Sequence, residues 1–215
     1  PVVIRTPMGG GRGYGPTHSQ TLDKMLIGID NLKVIALNLI IPPEDIYNTI
    51  LDTETQPVVV IENKLDYARK HGVLSQKLIK DFRIESSLSQ YPITRLTPPH
   101  GHPEISLITY GGVLTDALTA LEILFFEHEI LCEVIVLTQI NPLPLPWLRE
   151  AVTSDSVLTV EEGSVSGGFS SDVAASLMEL ALDDPMSKLT IKRVARVGSL
   201  PVTIPASLKL EKKVL

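Results

Sequence analysis

Cysteine, aromatic rings, basic excess and long apolar runs are all scarce in this chain, and each scarcity excludes something. The only cysteine, Cys132, cannot form an internal disulfide. It sits in the apolar run LCEVIVL as inert core, which suits a reducing intracellular compartment, the cytoplasm or the mitochondrial matrix. Lys and Arg number 19 against 25 Asp and Glu, a net charge of −6. A phosphate-binding surface needs the opposite balance, and 5% aromatic residues cannot build a base-stacking platform, so nucleic acid is not the main partner. No apolar run approaches the ~18 residues of a membrane span. Runs such as 131–137 have the length of strands. What remains is abundant: 44% hydrophobic residues in 215 positions, enough for a large buried core. The chain opens on PVVIRTP, inside a strand-like pattern and with no signal-peptide pattern, which predicts a fragment or a processed chain.

Apolar runs and helical periodicities alternate. PVVIRTP reads as a strand, followed by a glycine-rich loop. Leu22, Met25, Leu26 and Ile29 then have helical spacing. LKVIALN and QPVVVIEN read as strands around a short helix, PPEDIYNTIL, whose prolines and acids favour a helix start. Residues 71–103 are charged and irregular and predict a connector. A second series follows: strands EISLITYGG, LCEVIVL, SVLTVEEG and LTIKRVARV, with helices VLTDALTALEILFFEHE, LPWLREAVTS and GGFSSDVAASLMELALDD. In the last helix Phe169, Val173, Leu177 and Leu180 share a face. This alternation predicts an α/β fold with parallel strands and helices on both faces of the second sheet.

Few groups offer chemistry. GGGRGYG lacks the Gly-Lys-Ser/Thr ending of a phosphate loop and matches GxGxxG only when stretched. Its glycines imply a sharp turn or a close approach. Thr17-His18-Ser19 follows where a helix is expected to begin, with Thr17 or Ser19 as its cap and His18 placed to accept a proton. His100 and His102 have metal-compatible spacing but no third ligand nearby, while His71 and His128 sit among charges and read as surface. Glu161-Glu162 ends a strand, where α/β folds place function and where exposed acids are equally ordinary. GSVSG is not the nucleophile-elbow pattern.

Taken in order, IRTPMGGGRGYGPTHSQ, LKVIALN, QPVVVIENKLDY, ISLITYGG, CEVIVLTQINPLP, LTVEEGSVSGGFSSDV and IKRVARV resemble the β subunit of thiamine-diphosphate-dependent 2-oxo acid dehydrogenases. That group includes the pyruvate and branched-chain enzymes, and the resemblance covers essentially the whole chain. It implies the second half of a transketolase-type pyrimidine-binding domain over residues 1–70, a connector over 71–103, and a transketolase C-terminal-like domain over 104–215. His18 falls on the HSQ histidine, which in the family faces thiamine diphosphate and moves protons as an acyl group passes to lipoamide. The glycines would let the loop approach the cofactor and the lipoyl arm. The cofactor-binding residues of this chain stay unassigned, because the family's pyrimidine-binding glutamate lies upstream of it. Magnesium and the diphosphate would be held mainly by the partner.

The resemblance further implies an enzyme, an oxidoreductase component that is inactive as an isolated piece. Its partners would be an α subunit or α region, a second β copy and the lipoyl-bearing acyltransferase core. Some relatives bind structural potassium, for which Val2, Val3, Leu51, Asp52, Glu54 and Gln56 would be the ligands by position. Here DTETQP departs from the family's Asp-x-Asn-Pro. Two alternatives stay open: a non-catalytic interaction or docking fragment, and another thiamine-dependent enzyme of the transketolase type.

Overall fold

Strand formation follows from runs of β-branched residues. A computed structural model describes residues 2–69, 81–183 and 189–215. In it β3 (Val58–Asn63) is buried over nearly its whole length and lies between β1 (Val3–Met8) and β2 (Lys33–Ala36), parallel to both. The register pairs Val3 with Val58 and Met8 with Asn63, so the two strands end together. Helix α2 (Pro43–Thr53) starts with Glu44 and Asp45, as its proline and acids predict, and buries Ile46 and Ile50.

In the second sheet β6 (Ile105–Tyr110), β7 (Cys132–Leu137), β9 (Ser156–Val160) and β10 (Arg193–Val197) are mutually parallel, and with β4 (Arg83–Ser86) and β5 (Ile93–Thr97) the order is β10-β9-β6-β7-β5-β4. Side chains alternate across it. Leu107, Val134 and Val136 meet Leu114, Leu118 and Leu121 of α3 (Leu114–His128). Their neighbours Ile108, Ile135 and Leu137 face Leu148 of α4 (Leu145–Ala151) and Phe169, Val173 and Leu177 of α5 (Phe169–Asp183). Helices therefore cover both faces, as the two-sided apolar strands require. The first sheet joins this core through Met8, Val34, Ala36 and Ile61. Strand β8 (Gln139–Asn141) leaves the second half of the chain to pair antiparallel with β2.

Two expectations need correcting. Part of the stretch read as irregular connector is strand: β4 (Arg83–Ser86) and β5 (Ile93–Thr97) extend the second sheet antiparallel from β7. Arg83 and Glu85 sit on the edge strand β4, while Ile93 and Leu96 of β5 are core. His71 lies outside the described residues.

The helix expected after His18 does not form. The segment makes a single 3₁₀ turn, Asp23–Met25, and leaves Leu22, Met25 and Ile29 exposed. Asn141 captures its backbone instead, accepting from Gly28 N at 2.9 Å and donating to the carbonyls of Ile29 and Leu32 at 3.2 and 2.7 Å. Gly28 and Asn31, with φ of 80° and 59°, turn the chain where a helix would have to continue.

Candidate functional site

The carboxyl ends of β3, β6, β9 and β10 come together under the glycine-rich loop. Between them lies a cavity of about 780 Å³ lined by Gly10, Asn63, Gly112, Glu162, Gly198 and Lys213 among others. Order in the second sheet reverses at β6, whose two neighbours are β7 and β9. The cavity therefore opens at the topological switch point, where α/β sheets leave a crevice.

The loop is held by side chains far away in sequence. Glu162, just beyond β9, accepts from Gly10 N–H, and Asn63 Nδ2 reaches its other oxygen at 3.5 Å. Glu211 in α6 (Leu208–Glu211) accepts from Gly11 N at 3.1 Å and from Gly13 N. The close approach demanded by the glycines is thus to the chain's own C-terminal segment. A Cβ on Gly10 would lie 2.4 Å from Leu215 Cδ1, and one on Gly13, where φ is +74°, 2.9 Å from Leu208 N. Expected instead was an approach to a cofactor.

Acids cluster beneath. Tyr110 O–H donates to Asp23, both being buried, and Tyr110 packs on Phe169 with ring centroids 4.5 Å apart. Asp23 Oδ1, Glu161 Oε2 and the Thr21 carbonyl each lie 3.9 Å from where Gly163 would carry a Cβ. Burial pushes Asp23, Glu161 and Glu162 above the usual carboxylate range. Burial and the Asp23 charge push the Tyr110 phenol well up. Glu211 behaves oppositely. Burial alone would raise it, but the backbone N–H groups of Gly11 and Gly13 that it accepts from hold it low.

His18 is exposed and is the last residue of α1 (Gly15–His18), a single turn, so the helix-start rationale for it fails. Neither Thr17 nor Ser19 caps a helix start: Tyr14 precedes α1 with no side-chain cap, and Ser19 follows it. What fixes His18 is its carbonyl, which accepts from Arg12 Nη2 and from Lys64 Nζ, both at 2.8 Å.

At the far edge of the first sheet, Arg5 and Glu62 connect two of the recognisable stretches. Arg5 donates to the buried Glu62 through Nε at 2.8 Å and Nη2 at 3.1 Å. Tyr67 O–H adds a bond at 2.6 Å, and Tyr47 O–H another. A smaller cavity of about 230 Å³ opens beside them.

The residues named for potassium do not fit a cation. Val2, Leu51, Asp52 and Gln56 are exposed, and the Val2 carbonyl accepts from Val58 N at 2.9 Å. Val3 packs partly buried against the α2 cluster. Glu54 is buried, but Lys33 Nζ already neutralises it at 2.5 Å, with Tyr91 O–H and Gln90 Nε2 at 2.8 and 2.7 Å. His100 and His102 are exposed in a turn, and His128 is exposed at the end of α3. Among the described residues no three His, Cys, Asp or Glu side chains gather to hold a metal ion. Cys132 is buried, and burial pushes its thiol up to about 11, as expected of inert core. Among these residues no helix is long and apolar enough to cross a membrane.

Sequence reasoning missed Asp23, Tyr110, Arg12, Lys64 and Glu211. Glu211 had no local signal, since its partners lie some 200 positions away.

The parallel sheet with a crevice at its reversal defines an α/β ligand-site architecture. The chain belongs to the family described as Transketolase, C-terminal domain, which matches residues 97–212. Among curated relatives, the chain is 28% identical to the mitochondrial pyruvate dehydrogenase E1 component subunit beta-1 of Arabidopsis thaliana, over all of this chain and 56% of that one. It is 29% identical to the pyruvate dehydrogenase E1 component subunit beta of Staphylococcus epidermidis, over 88% of this chain and 56% of the other. It thus spans about half the length of the curated relatives it matches. Among solved structures, a split-gene transketolase described as an inactive beta4 tetramer superposes with a TM-score of 0.62 at 19% identity. That match covers 94% of this chain and 58% of the other, and shows the fold.

Proposed function

We propose that this chain is the β region of the decarboxylating component of a 2-oxo acid dehydrogenase, with His18 as its proton-transfer residue. The observation that carries the reading is the presentation of His18: an exposed imidazole on a loop whose backbone is pinned by Glu162, Glu211, Arg12 and Lys64. Such pinning suits a group that must meet a reacting atom supplied from outside the chain. The likeness to pyruvate dehydrogenase E1 β subunits supports it.

When bound, thiamine diphosphate would supply the carbanion and electron sink for decarboxylation. Among the described residues no three His, Cys, Asp or Glu side chains gather to hold magnesium, and in this reading an α partner would hold it with the diphosphate. Within this chain, His18 donates or accepts a proton at its exposed ring as an acyl group moves to lipoamide. The carboxylates Glu162 and Glu211 hold the loop's backbone without touching the reaction. Exposed Ile4, Met25, Leu51, Phe126 and Leu182 are apolar surface for an α partner, a second β copy or the lipoyl-bearing core. The same surface favours a second reading, a non-catalytic interaction region.

Calorimetric titration with thiamine diphosphate separates the two. Binding is expected once an upstream segment and an α partner are restored. In that assembly His18→Ala is expected to abolish lipoamide acylation while leaving decarboxylation with an artificial acceptor largely intact. Absence of binding in the restored assembly, or unchanged acyl transfer in the variant, overturns the enzymatic reading.

A further inference from the structure

Arg12 and Lys64 converge on one atom, the carbonyl oxygen of His18, each at 2.8 Å. Their two nitrogens are therefore at most 5.6 Å apart. Among the described residues neither cation forms an ion pair. A carbonyl carries only partial negative charge, so it does not neutralise the two full positive charges beside it. Arg12 is incompletely satisfied, with Nε buried and unpartnered, and its guanidinium lies over the Tyr14 ring, 4.8 Å from the centroid. Burial first, and then the Arg12 charge, depress Lys64, with the Glu162 charge opposing them.

Capping the last turn of α1 explains one cation at this carbonyl. A second, brought from β3's end across the loop, exceeds that need. Most donors of both side chains stay available after the carbonyl is served.

We infer that Arg12 and Lys64 form an anion subsite beside His18 that takes the carboxylate of a small organic acid. A planar carboxylate can accept from the guanidinium and the ammonium together, which a lone cation could not orient. Resting on the function proposed above, the subsite binds the carboxylate end of the 2-oxo acid and aligns the molecule next to the exposed imidazole. The two residues are positioning residues for that substrate.

The test is calorimetric titration of the 215-residue chain with sodium pyruvate and, separately, sodium sulfate, without thiamine diphosphate and at two salt concentrations. Pyruvate is expected to bind, more weakly at higher salt, and more tightly than sulfate. Arg12→Gln and Lys64→Gln are each expected to weaken it at least tenfold. Arg83→Gln, removing an exposed cation paired with Glu85 on β4, is expected to leave it unchanged. Pyruvate should also shift the His18 ring proton resonances in the wild type and not in the two variants. Arg12→Lys keeps a cation and, if Arg12→Gln unfolds, replaces it, with reduced binding expected.

Undetectable pyruvate binding, binding that survives both substitutions, or sulfate binding as tightly overturns the subsite. Because no cofactor is present, this result is independent of turnover. Binding as expected with no decarboxylation by the restored assembly would sink the proposed function and leave the subsite standing. Turnover with an unchanged KM in both variants would do the reverse.

Discussion

Replacing Glu211 by Gln removes a charge while keeping the side chain's shape. The carboxylate accepts from Gly11 N and Gly13 N, and hydrogen bonds to a charged group contribute about 1.5–3 kcal/mol each. Gln can keep one neutral bond and must set its amide N–H against the other donor. Gly11 is exposed and Gly13 half-buried, so water replaces part of what is lost. The net cost is about 2 kcal/mol, a shift of the urea midpoint near 1 M at a slope of about 2 kcal/mol per M.

The pH dependence has a definite sign. Glu211 is held below the ordinary carboxylate range in the folded chain. Its stabilisation is therefore complete above the unfolded value, about 4.3, and is lost as pH falls through the lower folded value. The gap between wild type and Glu211→Gln should be full at pH 7 and close on acidification. Amide exchange at Gly11 and Gly13 should accelerate in the variant. A difference below about 0.5 kcal/mol, the size of an ordinary surface change, or a gap that widens at low pH would refute the clamp.

Asp23→Asn should show the opposite sign, because burial raises Asp23. The variant should match wild type at pH 4 and be the more stable at pH 8, read from urea midpoints. Arg95→Met should destabilise by about 3 kcal/mol, because it strands the fully buried Glu133, to which Arg95 Nε donates at 2.7 Å. Denaturant unfolding checks this, and a loss under 1 kcal/mol would mean that Thr153 and Ser106 satisfy Glu133 alone. Gly28→Ala should cost about 1–2 kcal/mol for its positive φ alone, since nothing lies within 4 Å of the added methyl. Gly13→Ala should cost at least about 1 kcal/mol more through its contact with Leu208, and equal losses would remove the C-terminal segment from the loop.

The core of the fold was legible because its signals are local. The β-branched run 58–61 makes a buried strand wherever it finds neighbours, and the spacing of Phe169, Val173 and Leu177 selects one helix face. The 18–29 segment misled because apolar spacing is only one claim on a backbone. Asn141, over a hundred positions away, supplied the competing hydrogen bonds. The charged 83–97 stretch misled because its edge strand β4 carries polar residues as readily as a connector does, and because Arg95 of the interior strand β5 is answered by Glu133 from a strand distant in sequence.

For the site, the sequence by itself determined that a glycine-rich loop precedes His18 and that Glu161-Glu162 ends a strand. It could not say what the loop approaches or which carboxylates titrate abnormally. Only the tertiary structure brought Glu211 to Gly11, Tyr110 to Asp23, and Arg12 and Lys64 to one carbonyl. Periodicity is written residue by residue along the chain. Charge–charge distance and desolvation exist only once separate segments share a volume.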